Sequence, residues 1–272
     1  AAISRQLRPV SAWRKGSRNK LQAGDARCFL ESAHTGDSDE LLCVVGAEIS
    51  SRLPSLLPRK ELFEAHAVAQ LVQRHFPSRP RHVTELCAGC GLLAIFLVLL
   101  DPHRCIRCVD KRQTPIATHL LQGLSQRWPA LSSQIQHVHE DIRHQGQLTD
   151  GRAGLIVSCH ACSLLSDDVL AATTAGGVRR PLVLLPCCQA RKPSLQKPQP
   201  WRPTQTWDSW PWLKAGAVNR QGAAAVNAAR VSHLESLGYR VQLDSIDPAI
   251  TQYCEAIVAH PPRAQQLQAE PF

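Results

Sequence analysis

The feature that most constrains the fold of this 272-residue chain is an extended run at 81–86, which leads into a turn of small residues with two glycines at 87–91. The apolar run from Leu92 to Leu100 follows directly and predicts a helix. In α/β proteins, a strand, a tight turn and a helix in this order bring backbone N–H groups up to a ligand. We therefore predict that the turn binds a cofactor.

The same alternation of strand and helix continues along the chain. The predicted helices are 60–75, 92–100, 115–128 and 167–175, and the predicted strands are 83–86, 104–109, 135–139, 154–158 and 181–185. Strands that alternate with helices at this spacing form a parallel sheet with right-handed crossovers. The pattern predicts a doubly wound α/β fold.

The C-terminal part departs from this alternation. A predicted helix at 221–237 precedes two predicted strands, 239–246 and 253–259, which are separated by a short turn at Asp247 and Pro248. So short a link requires the two strands to pair antiparallel. The complete prediction is a mostly parallel seven-stranded sheet that ends in an antiparallel strand pair.

The segments outside the sheet are predicted to flank or interrupt one domain at 59–262. A basic extension precedes it at 1–58, and a tail follows at 263–272. The apolar run 41–45 in the extension predicts a short strand. A segment rich in Trp and Pro, 190–218, interrupts the domain after the fifth predicted strand and is called the insert below.

The charge of the chain favours an RNA partner. The net charge is +9 and the pI is about 9.2, which suits a polyanionic ligand. Residues 1–27, the basic arm, are typical of a phosphate-binding segment, a solvated tail or an organelle transit peptide. The insert mixes tryptophans with Lys and Arg, which suits base stacking with phosphate contacts, although a lid packed on its own aromatic residues would look the same. We predict that the arm and the insert bind RNA.

The cysteines and the apolar runs indicate a cytoplasmic protein. A chain of this length can build its own core without a disulfide framework, and eleven cysteines cannot all pair within one chain. The longest apolar run, from Leu92 to Leu100, is much shorter than the roughly 20 residues of a membrane helix. We therefore expect a reducing environment and no contact with a membrane.

Candidate cofactor-binding residues stand at the carboxyl ends of the predicted strands, where doubly wound sheets bind ligands. Asp110 ends the second strand at the usual distance beyond the glycines for an acid that accepts hydrogen bonds from both hydroxyls of a ribose. Asp141 and Ile142 follow the third strand and could flank an adenine, and Ser158 ends the fourth. Together these residues predict a nucleoside cofactor.

The glycine turn alone fits two cofactors. The run 89–94 matches G-x-G-x-x-A, the pattern of NAD-binding turns. Glu85, ahead of the glycines, could instead meet the cationic amino group of S-adenosylmethionine. The runs 85–91 and 108–111, together with the antiparallel end of the sheet, resemble the Rossmann-like methyltransferases. The resemblance implies a class I methyltransferase-like fold and direct methyl transfer from S-adenosylmethionine, and an NAD(P)-dependent oxidoreductase is the alternative.

Three further segments resemble a narrower group, which contains the tRNA acceptor-stem ribose methyltransferases, the ribosomal-RNA-adenine-dimethylase-like domain proteins and bacterial relatives. The segments are 160–167, 185–189 and 247–251. The resemblance implies RNA as the methyl acceptor. Three positions depart from the group: Ser163 stands where Gly is usual, Ser166 where Thr is usual, and Gln189 where His is usual. Because an amide cannot replace a histidine base, a catalytically degenerate binding module is a further alternative.

The resemblance also implies a role for each site residue. Asp110 would bind the ribose and Asp141 with Ile142 the adenine. The methionine moiety would be held by Glu85, Cys87, Gly89 and Gly91.

Three residues after the fourth strand would face the acceptor: His160, Cys162 and Asp167. His160 is the best candidate base, because imidazole titrates near neutral pH, although a structural histidine would suit the position equally. Asp167 would either orient His160 or cap the following helix.

The cysteines raise the alternative of a metal site, because three C-x-x-C pairs occur at 87/90, 105/108 and 159/162. The middle pair lies on a predicted strand, where residues three apart face opposite ways, so it should not chelate. The other two pairs end neighbouring strands, and converging thiols would suit zinc or an iron–sulfur cluster. Since free cysteines are also common as small buried residues, we predict a site without metal.

Overall fold

The computed structural model describes most of the predicted domain. The described residues are 21, 40–53, 57–77, 80–112, 114–143, 154–159, 161–162, 164–186 and 223–262. Apart from Leu21, the basic arm lies outside the described residues, as do the insert and the tail.

The helices and strands follow the predicted alternation. The helices are α1 (Glu40–Arg52), α2 (Arg59–His75), α3 (Leu92–Leu100), α4 (Pro115–Ser125), α5 (Ala130–Gln134), α6 (Leu165–Thr174) and α7 (Ala223–Ser236), with a 3₁₀ turn at Ala175–Gly177. The strands are β1 (His82–Leu86), β2 (Cys105–Asp110), β3 (Ile135–His139), β4 (Leu155–Ser158), β5 (Leu182–Leu184), β6 (Arg240–Ser245) and β7 (Glu255–His260).

The seven strands form one sheet in the order β3-β2-β1-β4-β5-β7-β6. The pairs among the first five strands are parallel, whereas β7 pairs antiparallel with both β5 and β6. This confirms the predicted doubly wound sheet with its antiparallel C-terminal pair. The strand order reverses at β1, whose Glu85 pairs with Cys108 of β2 on one side and Val157 of β4 on the other. Such a reversal is where doubly wound sheets bind ligands.

Helix α3 is apolar on all sides because its neighbours enclose it. Its residues from Leu92 to Val98 are buried, and α2, α5, β2 and β3 pack around it. A helix without a polar face needs such a cover. The packing fixes the N-terminus of α3 beside the carboxyl end of β1, directly after the glycine turn.

Helix α1 replaces the strand predicted at 41–45, so that prediction was wrong. Its buried residues Leu42, Val45 and Ile49 recur at helical spacing and pack in the same core as Phe63 of α2. The five apolar residues that suggested a strand were too few to show this period. The described part of the predicted extension is therefore packed on the domain.

The described helices include none that is long and apolar enough to span a membrane.

Candidate cofactor site

The glycine turn has three residues with positive φ: Cys87 at 58°, Gly89 at 57° and Gly91 at 75°. A Cβ at Gly91 would lie 2.7 Å from Cε1 of His137, so the histidine ring would have to move to admit a side chain. A Cβ at Gly89 would meet no atom within 4 Å. Gly91 thus permits close packing on β3, whereas Gly89 faces open space where a ligand can approach the backbone.

Asp110 ties the end of β2 to this turn. Its Oδ2 accepts a hydrogen bond of 2.9 Å from the N–H of Gly89, and its Oδ1 accepts one of 2.9 Å from the N–H of Arg112. With Gly89, His137 and His139 the residue lines a cavity of about 310 Å³, which is partly continuous with solvent. The acid that sequence predicts for the ribose therefore lies beside the turn and at an open cavity.

Glu85 is buried and binds a backbone N–H group in the first turn of α3. Its Oε2 accepts a hydrogen bond of 3.2 Å from the N–H of Ala94, and the Sγ of Cys108 donates to the same oxygen at 3.6 Å. The N-cap of α3 is Gly91, which has no side chain to bind the free N–H groups of the first turn, so Glu85 takes this role from β1. Burial raises the pKa of Glu85 to about 8.

A second cavity of about 440 Å³, partly continuous with solvent, is also lined by Gly89 of the turn. It is lined by Glu61 and Ala65 of α2, by Glu85 and by residues of the turn and of α3. Sequence reasoning missed Glu61, although an acid in the first turn of the helix before β1 was visible in the sequence.

Asp141 and Ile142 lie at the end of β3. The guanidinium of Arg143 binds both oxygens of Asp141, at 2.9 and 2.6 Å, and the Nζ of Lys111 lies 3.1 Å from Oδ2. These cations, Arg143 above all, hold the pKa of Asp141 well below its usual range. Ile142 is buried in the core against the sheet. The structure thus places both residues at the predicted edge, with the carboxylate already bound by two cations.

Ser158 ends β4 next to β5, paired with Leu184. Its side chain is fully buried, and its hydroxyl has no hydrogen-bond partner among the described residues. The adjacent backbone is held by the bond from the N–H of Leu185 to the carbonyl of Ser158, 2.9 Å long.

Of the three residues predicted to face the acceptor, the structure describes Cys162 and Asp167. His160 lies outside the described residues. Cys162 is disulfide-bonded, so its thiol is not free for the predicted role. Asp167 is fully buried and binds Arg230 of α7 through two hydrogen bonds, of 3.1 and 2.7 Å. Asp167 lies in the first turn of α6, whose N-cap Leu164 makes no side-chain hydrogen bond.

Asp168, beside Asp167, is a residue that sequence reasoning did not single out. It is buried in the first turn of α6, and burial raises its pKa to about 7 in spite of the nearby Arg143. It lies close enough to the turn to raise the pKa of Cys87. Its sequence neighbour Asp167 looked equally suited to the site, so only the fold separates the two.

The cysteines near the turn are free thiols. Burial raises the pKa of Cys90 to about 12, and Cys108 lies beneath Glu85. The described part of the chain holds no group of three or more His, Cys, Asp or Glu side chains that could hold a metal ion. Cys187 and Cys188 lie outside it.

The sequence and the fold were compared with known proteins. Residues 62–192 match the sequence model of a methyltransferase domain. These residues run from α2 past β5 and include the glycine turn, Asp110 and Asp141. Residues 62–192 form an S-adenosylmethionine-dependent methyltransferase domain. The glycine turn alone fitted both NAD and S-adenosylmethionine, and the match favours S-adenosylmethionine.

Solved structures resemble this methyltransferase at low sequence identity. A protein from Corynebacterium glutamicum has a TM-score of 0.52 and 13% identity over 87% of this chain and 96% of its own. The TM-score is 0.48 for a candidate caffeoyl-CoA O-methyltransferase from Staphylococcus aureus, at 11% identity over 86% of this chain and 98% of that one. A SAM-dependent methyltransferase from Aquifex aeolicus scores 0.43, at 12% identity over 79% and 97%.

The first of these likenesses supports the fold alone. No curated protein matches the sequence.

Proposed function

We propose that this methyltransferase acts on RNA. The proposal rests on the distribution of positive charge along the sequence. Residues 1–27 hold seven basic residues and one acid, and residues 190–218 hold five basic residues and one acid, which together give +10. Since the whole chain has a net charge of +9, the remaining residues carry −1. Two localised basic segments on a nearly neutral domain are the pattern expected of phosphate contacts.

The position of the insert in the chain supports the same acceptor. It follows β5, whose last residue, Leu184, pairs with Ser158 at the edge of the sheet that carries the cofactor cavities. The insert holds four of the six tryptophans among its basic residues. Aromatic and basic side chains in one segment suit single-stranded RNA, because bases stack on the rings while the cations bind phosphates. The resemblance of 160–167 to enzymes that act on tRNA agrees with this.

The residues around the turn fit the cofactor. A Cβ at Gly89 would meet no atom within 4 Å, Asp110 lines one cavity with Gly89, and Gly89 also lines the second cavity. In this proposal, Asp110 accepts hydrogen bonds from the ribose hydroxyls and Ile142 supports the adenine. Bound S-adenosylmethionine supplies an electrophilic methyl group.

The residues after β4 are proposed to handle the acceptor. His160 would take the proton that the acceptor loses when it is methylated, since a neutral imidazole is a base near pH 7. Asp167 does not orient it in this proposal, because Arg230 already binds both of its oxygens. The alignment of acceptor and methyl carbon supplies the rest of the rate enhancement.

Methylation with a tritiated methyl donor tests the proposal. The full chain is incubated with labelled S-adenosylmethionine and, in parallel, with unmodified tRNA, ribosomal RNA fragments and a protein extract. We expect label in RNA that ribonuclease releases and protease does not, and that Asp110→Ala abolishes. Label in protein alone would overturn the RNA acceptor. Cofactor binding without transfer to any acceptor would favour the degenerate binding module.

A further inference from the structure

The second cavity lies where the amino-acid end of the cofactor is expected, and its charges differ from the sequence prediction. We infer that Glu61 of α2, and not Glu85 of β1, binds the ammonium group of the methionine moiety, while the first turn of α3 receives its carboxylate. The inference rests on the proposed function, because its ligand is the cofactor of that reaction.

Glu61 and Glu85 line this cavity, and Glu64 lies one helical turn beyond Glu61 on α2. Two of these three glutamates already have partners. Glu85 is buried and accepts from the N–H of Ala94 and the thiol of Cys108. Glu64 is buried and paired with Lys60, whose Nζ lies 2.8 Å from its Oε1. Glu61 lines the cavity and is partly exposed, and none of the described side chains forms a hydrogen bond or ion pair with its carboxylate. Of the three, Glu61 alone presents its charge to a ligand.

The raised pKa of Glu85 also favours Glu61 as the residue that binds the ammonium group. A carboxyl group with a pKa of about 8 is mostly neutral near pH 7, so it attracts a cation weakly. Glu61 lies close enough to the turn for its charge to raise the pKa of both Cys90 and Cys159. A carboxylate beside thiols that keep their protons suits an ammonium ion, because a charge-assisted hydrogen bond is stronger than one between neutral groups.

The start of α3 suits the carboxylate of the same ligand. Leu92 and Leu93, the first two residues of α3, line the cavity together with Glu61. The N–H of Leu92 bonds the thiol of Cys90 and that of Ala94 bonds Glu85, so the N–H of Leu93 is the one proposed to bind the carboxylate. N–H groups in the first turn have no carbonyl partner within a helix, and the helix dipole adds a partial positive charge. An acid and a helix N-terminus that line one cavity complement the two charges of an amino-acid zwitterion.

Calorimetry with two ligands separates Glu61 from Glu85. S-adenosylhomocysteine carries the zwitterion, and 5′-methylthioadenosine has the same nucleoside and sulfur without it. Glu61→Gln should weaken S-adenosylhomocysteine about 10- to 100-fold, as expected for the loss of a charge-assisted bond, and leave methylthioadenosine unchanged. Glu85→Gln keeps an acceptor for Ala94 and should weaken both ligands by the same factor. Exposed Glu235→Gln on α7 is the matched control and should change neither affinity.

The outcomes distinguish the inference from the function on which it rests. A selective loss of S-adenosylhomocysteine in Glu61→Gln supports the inference. Wild-type affinity in this variant, or an equal loss of both ligands, overturns it and leaves the methyltransferase assignment intact. A selective loss in Glu85→Gln also overturns it, in favour of Glu85. If the wild-type protein binds neither S-adenosylhomocysteine nor S-adenosylmethionine, the proposed function fails as well.

Discussion

The N–H of Gly89 donates a hydrogen bond of 2.9 Å to Oδ2 of Asp110, across 21 residues of sequence. The bond fixes the glycine turn relative to the end of β2 before any ligand binds. Since the same carboxylate is the proposed acceptor for the ribose hydroxyls, one side chain both shapes the turn and binds the cofactor. A turn held in this way loses less conformational freedom on binding, which favours affinity.

Asp110→Ala should therefore weaken S-adenosylmethionine strongly. The variant loses a charged acceptor for the ribose and the bond that holds Gly89, and each charged hydrogen bond contributes about 1.5–3 kcal/mol. We expect an affinity at least about 100-fold lower by calorimetry. Glu235→Ala, on the exposed face of α7, should bind as the wild type does. An unchanged affinity in Asp110→Ala would refute the assignment of the ribose site.

Gly91→Ala should destabilise the fold more than the same change at Gly177. Both glycines have a left-handed φ, of 75° and 73°, so both variants carry backbone strain of about 1–2 kcal/mol. Only at Gly91 would the new Cβ clash with His137, at 2.7 Å, because nothing lies within 4 Å of one at Gly177.

Urea denaturation should thus show the larger loss of unfolding free energy for Gly91→Ala. A second change, His137→Ala, should recover part of it. Equal losses of unfolding free energy at the two glycines would show that His137 moves away from the added methyl group without destabilising the fold.

The stability of the protein should fall as the pH rises towards 8, and Glu85 should account for part of the slope. Its pKa is about 8 in the fold, against 4.5 for a free glutamate, so its proton stabilises the native state below pH 4.5. This contribution is lost as the pH rises through 8. Glu85→Gln should make the unfolding free energy less dependent on pH, by up to about 1.4 kcal/mol per pH unit between pH 5 and 8. Parallel curves for the two proteins would contradict the raised pKa.

The sequence predicted the sheet well because each strand and helix there has its own local pattern. The apolar runs and their spacing placed the strands of the sheet within two residues of their observed ends. Helix α1 was missed because the run 41–45 suits a strand equally well, and only Ile49, one turn further, completes the helical stripe. A short apolar run suits a strand and a helix equally well unless the residues one helical turn further are also considered.

The partners of the site residues could be predicted less well, because they depend on contacts between distant segments. Sequence placed Glu85 at the end of β1 but could not show that its carboxyl group turns to Ala94 and Cys108. Asp167 looked like a cap or a catalytic partner, whereas its partner Arg230 follows 63 residues later. A buried ion pair between two helices leaves no local pattern in either one.

Breaking this ion pair should destabilise the fold strongly. Arg230 and Asp167 are both fully buried, so Arg230→Met removes the guanidinium that binds both oxygens of Asp167 and should cost about 3–5 kcal/mol of unfolding free energy. The double change with Asp167→Leu should recover most of the loss, because it removes the buried carboxylate as well. Arg74→Met is the control, since Arg74 is largely exposed in its pair with Asp244 and should cost under about 1 kcal/mol. Urea denaturation of the wild type and the three variants measures these differences, and a small loss in Arg230→Met would contradict a strong contribution from this ion pair.

Charge reversal in the basic arm should weaken RNA binding and reduce its salt dependence. Arg14→Glu together with Lys15→Glu replaces two positive charges in a segment that otherwise repeats them. If both residues bind phosphates, the slope of log K against log salt should decrease in size by about 1.4 to 1.8, because each phosphate contact releases counterions. Arg240→Glu, exposed on the edge strand β6, is the control for net charge and should have a smaller effect. Fluorescence anisotropy with labelled tRNA over a range of salt concentrations measures both quantities. Equal effects at the arm and at β6 would show that the arm acts only through the overall charge.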